Sequence, residues 1–328
     1  MKDIFPQDQP VLKRSTILTF KKNKRKWNSR DLSLFVMASF SIIFLAVFSY
    51  APLFGLSLAF KDGDYKLNLL KAITETPWVG LNNFSAFLQD PNFFDAMMNT
   101  IVLNLIMLLI NFPAPILFAL LINEVRHDKY KNVVQTVANF PHFISWVIFG
   151  GMIIAMTDMT TGIINPILNA LGLSSADNPV NIQGESYAWA TVIISSLIKG
   201  VGWGSIVYVA AISGIDGNMY EAAELDGANR FQKVIYITLP GIAPTITVFA
   251  LLSVSNLLKN SFDQFYVLQN SLNISKMEVL ATYVYKTGLT QRRYSYASAL
   301  GLFNSVVSVI LLVISNTISK KLTGRGVL

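Results

Sequence analysis

The chain has two histidines and no cysteine, and this bounds the bond chemistry it can do. His127 and His142 stand fifteen residues apart with no ligand cluster around them. His142, beside Pro141, reads as a helix-end packing or hydrogen-bonding group. Without thiols there is no disulfide and no cysteine-based metal or redox chemistry. No HExxH, GxSxG, paired-carboxylate or Cys/His constellation occurs, and no Gly-x4-Gly-Lys-Ser/Thr loop could cradle phosphates. Two sets of residues remain. Glu221, Ala222, Ala223, Gly227, Ile237, Leu239 and Pro240 lie in one polar stretch and suit mechanical work. Ala and Glu favour helix, Gly227 breaks it after two turns, and a second amphipathic piece can follow with Phe231, Val234 and Ile235 on one side. Pro240 suits the first turn of the next helix, where its missing N–H costs nothing. The second set is polar and aromatic and sits inside apolar runs, with Lys199 the costliest member.

The elements that position these residues are set by composition. Of 328 residues 52% are hydrophobic and only 14% charged, against about 25% charged in a soluble domain, so the chain falls in the membrane class. Six apolar runs, about 32–58, 97–122, 133–156, 188–213, 241–266 and 296–318, each approach the ~20 residues a bilayer core requires. The run that begins at Leu32 is too long for a signal-peptide core and no small-residue cleavage site closes it. The expected fold is an all-α integral membrane protein with six transmembrane helices. Its expected parts are a basic tail 1–30, a first helix 31–60, an extracytoplasmic loop 61–95, a core 96–320 containing a loop 214–240, and a tail 321–328.

Charge orients the layout. Nine of the 26 basic residues fall in the first 30. With the N-terminus inside, 17 lie on inner segments and eight on outer ones, counting Lys259 at the outer end of the fifth run. The positive-inside rule then places both termini and the 214–240 loop in the cytoplasm. The net charge of +7 is thus an orientation signal, with anionic lipid as its partner rather than nucleic acid.

The stretch from Glu221 to Pro240 resembles the coupling motif of ABC importer permeases, EAA-x3-G-x9-I-x-LP. All seven letters are in place, a coincidence expected on the order of once in 10^8 starts. Further stretches resemble the carbohydrate-uptake, maltose-type branch that imports oligosaccharides and polysaccharide fragments. They are IFLAVFSYAP from Ile43 to Pro52, AFKD from Ala59, WVGLNNF from Trp78, Asn99-Thr100, ALLINE from Ala119 and PHFISW from Pro141. Together they cover roughly residues 40–320.

This resemblance implies a type I ABC importer transmembrane domain in the bacterial cytoplasmic membrane, multi-pass and not itself an enzyme. It implies a heterodimer with a second homologous permease, two copies of a cytoplasmic ABC ATPase and an extracytoplasmic solute-binding protein. ATP and Mg would be bound by the ATPase and no cofactor by this chain. Glu221, Ala222, Ala223, Gly227, Leu239 and Pro240 would form the coupling surface, with Arg230 and Lys233 as lesser docking candidates.

The helices on either side of the coupling loop would contribute to the sugar path. Sugars are bound by stacking on aromatic rings and by hydrogen bonds to hydroxyls. The candidates are Ser196, Lys199 and Trp203, which share a helix face, and Asn256, Lys259, Ser261, Asp263 and Gln264. Lys199, Lys259, Arg292 and Arg293 raise the case for an anionic sugar. Tyr283, Tyr285, Arg292 and Arg293 are candidates for a receptor-facing surface. Asn111 with Pro113 and Pro115 reads as a kink, and Gly200, Gly202 and Gly204 as close helix packing.

Two alternatives belong to other classes. A secondary transporter would call for coupling-ion groups and usually an internal repeat, and it leaves the coupling stretch unexplained. A non-transporting scaffold for an ATPase leaves the polar and aromatic residues of the fourth and fifth runs unexplained.

Overall fold

The structure, a computed structural model, describes residues 29–65, 68–175 and 177–323. The expected tail 1–30 lies outside the described residues apart from its last two, as do residues 324–328 of the expected C-terminal tail. Among the described residues, five helices are long and apolar enough to cross a membrane, and a bent pair supplies a sixth crossing if it counts as one span.

The chain divides into two units, one up to Leu53 and one from Phe54 on. The first holds most of α1 (Asp31–Phe60), a helix apolar on every face. Its serines hide their hydroxyls as a bilayer requires. Ser33, Ser39 and Ser41 each donate to the carbonyl four residues back, at 2.6–3.3 Å. A wide π turn at Ala46–Tyr50 precedes Pro52 and gives its ring room against the preceding turn.

In the second unit, α2 (Pro91–Asn123) opens on Asp90, whose carboxylate accepts the Asn92 amide at 3.0 Å. The third expected span, 133–156, is not one straight crossing. It is α3 (Asp128–Phe143) and α4 (Trp146–Thr157), bent by 98°. Ile144 and Ser145 are extended, and Ser145 caps α4 by accepting the Ile148 N–H at 3.3 Å. A hydropathy window reads apolarity and is blind to a cap.

α5 (Glu185–Ser213) contains the expected 188–213 run. The short α6 (Gly217–Leu225) follows, then α7 (Arg230–Ser255). The fifth span therefore starts about eleven residues before the expected 241–266 and ends earlier. Asn256–Asn260 is a turn, with the Asn256 amide donating to Leu252 O at 2.9 Å and Lys259 N to Asn256 O at 2.8 Å. Polar side chains that bond the backbone stop the helix where hydropathy alone carries it on. α8 (Phe262–Leu268) and α9 (Tyr294–Lys321) complete the set. Asp64, 231 residues away in sequence, caps α9 by accepting the Ser295 and Tyr296 amides at 2.8 and 3.2 Å.

Three buried clusters run along this unit. Beside α6, Ile116 and Ala119 of α2 meet Tyr208 and Ile212 of α5 and Ile242 of α7. In the middle, Leu103 and Val192 meet Phe265 and Leu268. At the far end, Phe87, Phe93, Tyr283 and Tyr296 form an aromatic cluster. Helices in lipid associate through close packing rather than water exclusion, so small residues matter. A Cβ on Gly202 of α5 would strike the Ala138 carbonyl of α3, and one on Gly150 of α4 would come within 2.6 Å of Val267 of α8. Nothing lies within 4 Å of a Cβ on Gly200. Gly202→Ala is therefore expected to cost about 1–3 kcal/mol, the usual range for overpacking. Gly200→Ala should be near neutral. Thermal unfolding of the detergent-purified protein compares the two, and equal melting temperatures would refute the contact.

Candidate functional site

The motif residues build one exposed, rigidly rooted surface. Asp216 caps α6 by accepting the Asn218 amide at 3.0 Å. The helix ends at Gly227, whose φ of +78° few other residues adopt readily. Asn229 and Gln232 then cap each other's backbone, at 2.9 and 2.8 Å, and start α7. The expected second short helix is thus the first turn of α7 itself. A π turn at Val234–Thr238 precedes Pro240, as one precedes Pro52, and lets the helix run through the proline.

Tyr220 bonds Thr238 at 2.9 Å and so ties α6 to α7. Arg230 lies 3.9 Å from Glu124 at the end of α2, and Lys233 lies 2.9 Å from Glu224. The Lys233 hydrogen bond, then its charge, holds Glu224 below the usual carboxylate range. Arg230 and Lys233, named as docking candidates, are thus engaged within the chain. Leu239 is half-buried against the cluster beside α6. Glu221, Ala222 and Pro240 are exposed and Ala223 is half-buried. Leu225 at the helix tip is 90% exposed, and Met219 and Phe231 are also exposed.

A second feature lies among α2, α5 and α7. It is a cavity of about 410 Å³ walled by Asn104, Asn111, Trp203, Tyr208, Ser253 and Asn256, with apolar residues between them. No Asp, Glu, Lys or Arg lines it. The Asn111 carbonyl oxygen is buried without a donor. A cavity with amide, hydroxyl and aromatic groups in its walls and no charge suits a neutral, hydroxyl-rich ligand.

Of the sequence candidates, Trp203 and Asn256 line this cavity. Ser196 and Gln264 come together but bond each other, at 2.8 and 3.1 Å, and Gln264 also donates to Val192 O and Ser195 Oγ. Lys199 is buried and donates to the carbonyls of Pro141, His142 and Ile144. Lys259, Ser261 and Asp263 are exposed, the last in the first turn of α8, where a negative charge favours the helix. Asn104, Asn111 and Ser253 were not among the pathway candidates. The seven-residue spacing of the two asparagines on one helix is the signal that marks them, and the adjacent prolines drew Asn111 into a kink reading instead.

At the far end, Tyr283 is buried rather than receptor-facing. Its hydroxyl and that of Tyr296 both donate to Asp90, at 2.8 and 2.9 Å. Burial, then hydrogen bonding to Tyr296 and Asp90, pushes the Tyr283 phenol well up. For Asp90, burial alone would raise the carboxyl, but the Tyr283, Tyr296 and Asn92 donors outweigh it and hold it below the usual range. Arg293 lies 3.6 Å from Asp64 and 3.8 Å over the Tyr296 ring. Tyr285 packs on the Phe262 and Tyr266 rings, whereas Arg292 is exposed.

Among the described residues there is no grouping of His, Cys, Asp and Glu fit to hold a metal. The spans, the cavity and the exposed helix rooted in α7 define a transport subunit of the type I importer class. The chain belongs to the family described as binding-protein-dependent transport system inner membrane component, which matches residues 98–324. It is thus a multi-pass permease of the bacterial cytoplasmic membrane, a transport subunit rather than an enzyme.

It is 38% identical to protein LplB of Bacillus subtilis (strain 168), over 90% of this chain and 91% of that one. It is 36% identical to the polygalacturonan/rhamnogalacturonan transport system permease protein YteP of the same organism, over 94% and 95%. Its fold matches a chain of a bacterial ABC transporter involved in import of the acidic polysaccharide alginate, with TM-score 0.80, 36% identity, and 90% and 97% of the two chains covered. A second match is to a chain of a bacterial alginate ABC transporter in complex with an alginate pentasaccharide-bound periplasmic protein, with TM-score 0.80, 35% identity, and 91% and 97% covered.

The Asp90 arrangement makes a pH prediction. A carboxyl whose folded pKa is depressed adds stability above its unfolded pKa, near 4, and loses it as pH falls through the lower folded value. Asp90→Ala should lower stability by about 1.5–3 kcal/mol at neutral pH, the range for hydrogen bonds to a charged group. The gap to wild type should close as the pH drops below 4. Melting curves across pH measure it, and a gap constant with pH would refute it.

Proposed function

We propose that the chain is half of the translocation path of an ATP-driven importer of oligosaccharides or polysaccharide fragments, and that it receives an ATPase on α6. The observation that carries this reading is the coupling stretch. Its motif residues Glu221 and Ala222 and the neighbouring Leu225 are open, while Tyr220–Thr238, Arg230–Glu124 and Leu239 root it in three membrane helices. A push on α6 is therefore delivered to α2 and α7 together, as rigid-body switching between inward-open and outward-open states requires.

In this reading Glu221, Ala222, Ala223, Gly227, Leu239 and Pro240 make or shape the docking surface. Both termini and residues 214–240 lie in the cytoplasm. A second homologous permease completes the path, two copies of the ATPase bind ATP and Mg, and an extracytoplasmic solute-binding protein delivers the sugar. Trp203, Asn256, Asn111 and Ser253 form this chain's share of the sugar contacts, while Asn104, bonded to Leu257 O and to Asn260, holds the turn beside them. The carbohydrate assignment draws on the names of the pectin-type and alginate relatives. An anionic sugar is a second reading, and the charges left for it are Lys259 and Arg292. Both are exposed and neither has an ion pair among the described residues, whereas Lys199 and Arg293 are engaged within the chain.

The test is ATP hydrolysis by the reconstituted complex, with binding protein and a panel of neutral and uronate-containing oligosaccharides. Stimulation by one sugar class is expected. Glu221→Lys should cut it by at least about tenfold, the scale of a broken charged contact at an interface. A complex that no sugar stimulates would remove the carbohydrate reading, and a chain that recruits no ATPase would remove the coupling reading.

A further inference from the structure

We propose that Lys199 and His142 are positioning residues for Trp203, the aromatic wall of the membrane cavity, and that Lys199 itself does not meet the sugar. The proposal deepens the sugar-path reading and rests on it.

An ammonium has three donors. Those of Lys199 are spent on three backbone carbonyls of the α3–α4 break: Pro141 and His142, both at 3.0 Å, and Ile144. The carbonyl end of a helix is also its negative end, so the charge is matched there without a carboxylate. The Trp146 and Phe149 rings lie 5.3 and 5.9 Å from the same nitrogen, and the side chain is buried. No N–H is left for a sugar carboxylate.

The carbonyl of His142 is one of the three held. Its imidazole lies parallel to the Trp203 indole, with ring centres 4.4 Å apart and planes within 1°. Phe143, the next residue, meets the same indole edge-on at 5.9 Å and 84°. The last turn of α3 thus fixes the plane of Trp203, and Gly202 sets the α3–α5 distance at the same level. Trp203 stays 48% exposed and lines the cavity. A ring already held in its plane loses less freedom when a sugar stacks on it. The line of action runs from Lys199 through the α3 carbonyls to His142 and on to Trp203.

The experiment uses the full complex in lipid, with His142→Ala, His142→Phe and Lys199→Met. Two quantities are read: oligosaccharide transport, and the Trp203 contribution to fluorescence and near-UV circular dichroism, obtained by difference against Trp203→Phe. His142→Ala should lower transport about three- to tenfold, the scale of one aromatic stacking contact. His142→Phe should restore it to within about twofold. Lys199→Met should change the Trp203 signal as His142→Ala does, and lower transport of neutral and uronate-containing sugars by the same factor.

Selective loss of uronate transport in Lys199→Met would make Lys199 a sugar ligand and overturn the proposal. So would wild-type transport together with a wild-type Trp203 signal in His142→Ala. If Lys199→Met does not assemble, the His142 pair decides. A wild-type complex that moves no sugar would sink the carbohydrate reading instead, and the Trp203 spectra would still settle the positioning.

Discussion

A bilayer offers no water to a broken helix, so the α3–α4 bend depends on one interaction. Lys199 reaches from α5 to the end of α3 and supplies donors to three carbonyls, of which Pro141 O also takes the Ile144 amide of the closing turn. Irregular backbone at membrane depth persists only where protein groups or a polar cavity take up its hydrogen bonds. Lysine suits this task better than a neutral donor, because its charge also answers the negative end of the helix. Without it, a bend of 98° would expose unpaired carbonyls to apolar surroundings. The close contact of α3 with α5 and the stacked His142–Trp203 pair lie at that bend.

The same requirement governs the second break. At Asn256–Asn260 the chain leaves α7 and is met by Asn104 of α2, whose amide donates to Leu257 O at 2.6 Å and accepts from Asn260 at 2.9 Å. Asn304 of α9 approaches Leu258 O at 3.5 Å. Asparagine carries both a donor and an acceptor and can therefore stand in for a missing helical turn. This second break lines the cavity directly, through Asn256 and Leu257, whereas the first reaches it only through the Trp203 ring stacked on His142.

At the other end, the stretch proposed for coupling joins local order with exposure. Gly227 turns the chain, the Asn229–Gln232 box restarts the helix at once, and the π turn carries it through Pro240. α6 is therefore joined to α7 by capped, hydrogen-bonded backbone and by the Tyr220–Thr238 bond rather than by an open linker. The exposed Leu225 and Phe231 are apolar groups that a partner surface can cover. The far end is closed differently, by Asp64 on the α9 N-terminus and Asp90 beneath two tyrosines, and charge is spent there on holding the structure.

Hydropathy and one motif determined the membrane class, the α5 boundaries and the stretch proposed for coupling. Those properties depend on residues adjacent in the chain: runs of apolar side chains, the helix-breaking Gly227 and the letters around Glu221. Tertiary structure alone decided the bend at Ile144, the early end of α7, and which polar residues remain open to a ligand. Local groups contribute, Ser145 capping α4 and Asn256 ending α7, but each outcome also depends on a partner far away in sequence. Lys199 finds its acceptors more than fifty residues upstream, Gln264 finds Ser196 across 68, and Tyr283 finds Asp90 across 193. A lysine within an apolar run reads alike whether it awaits a carboxylate or closes a helix end, and only the three carbonyls around it tell the two apart.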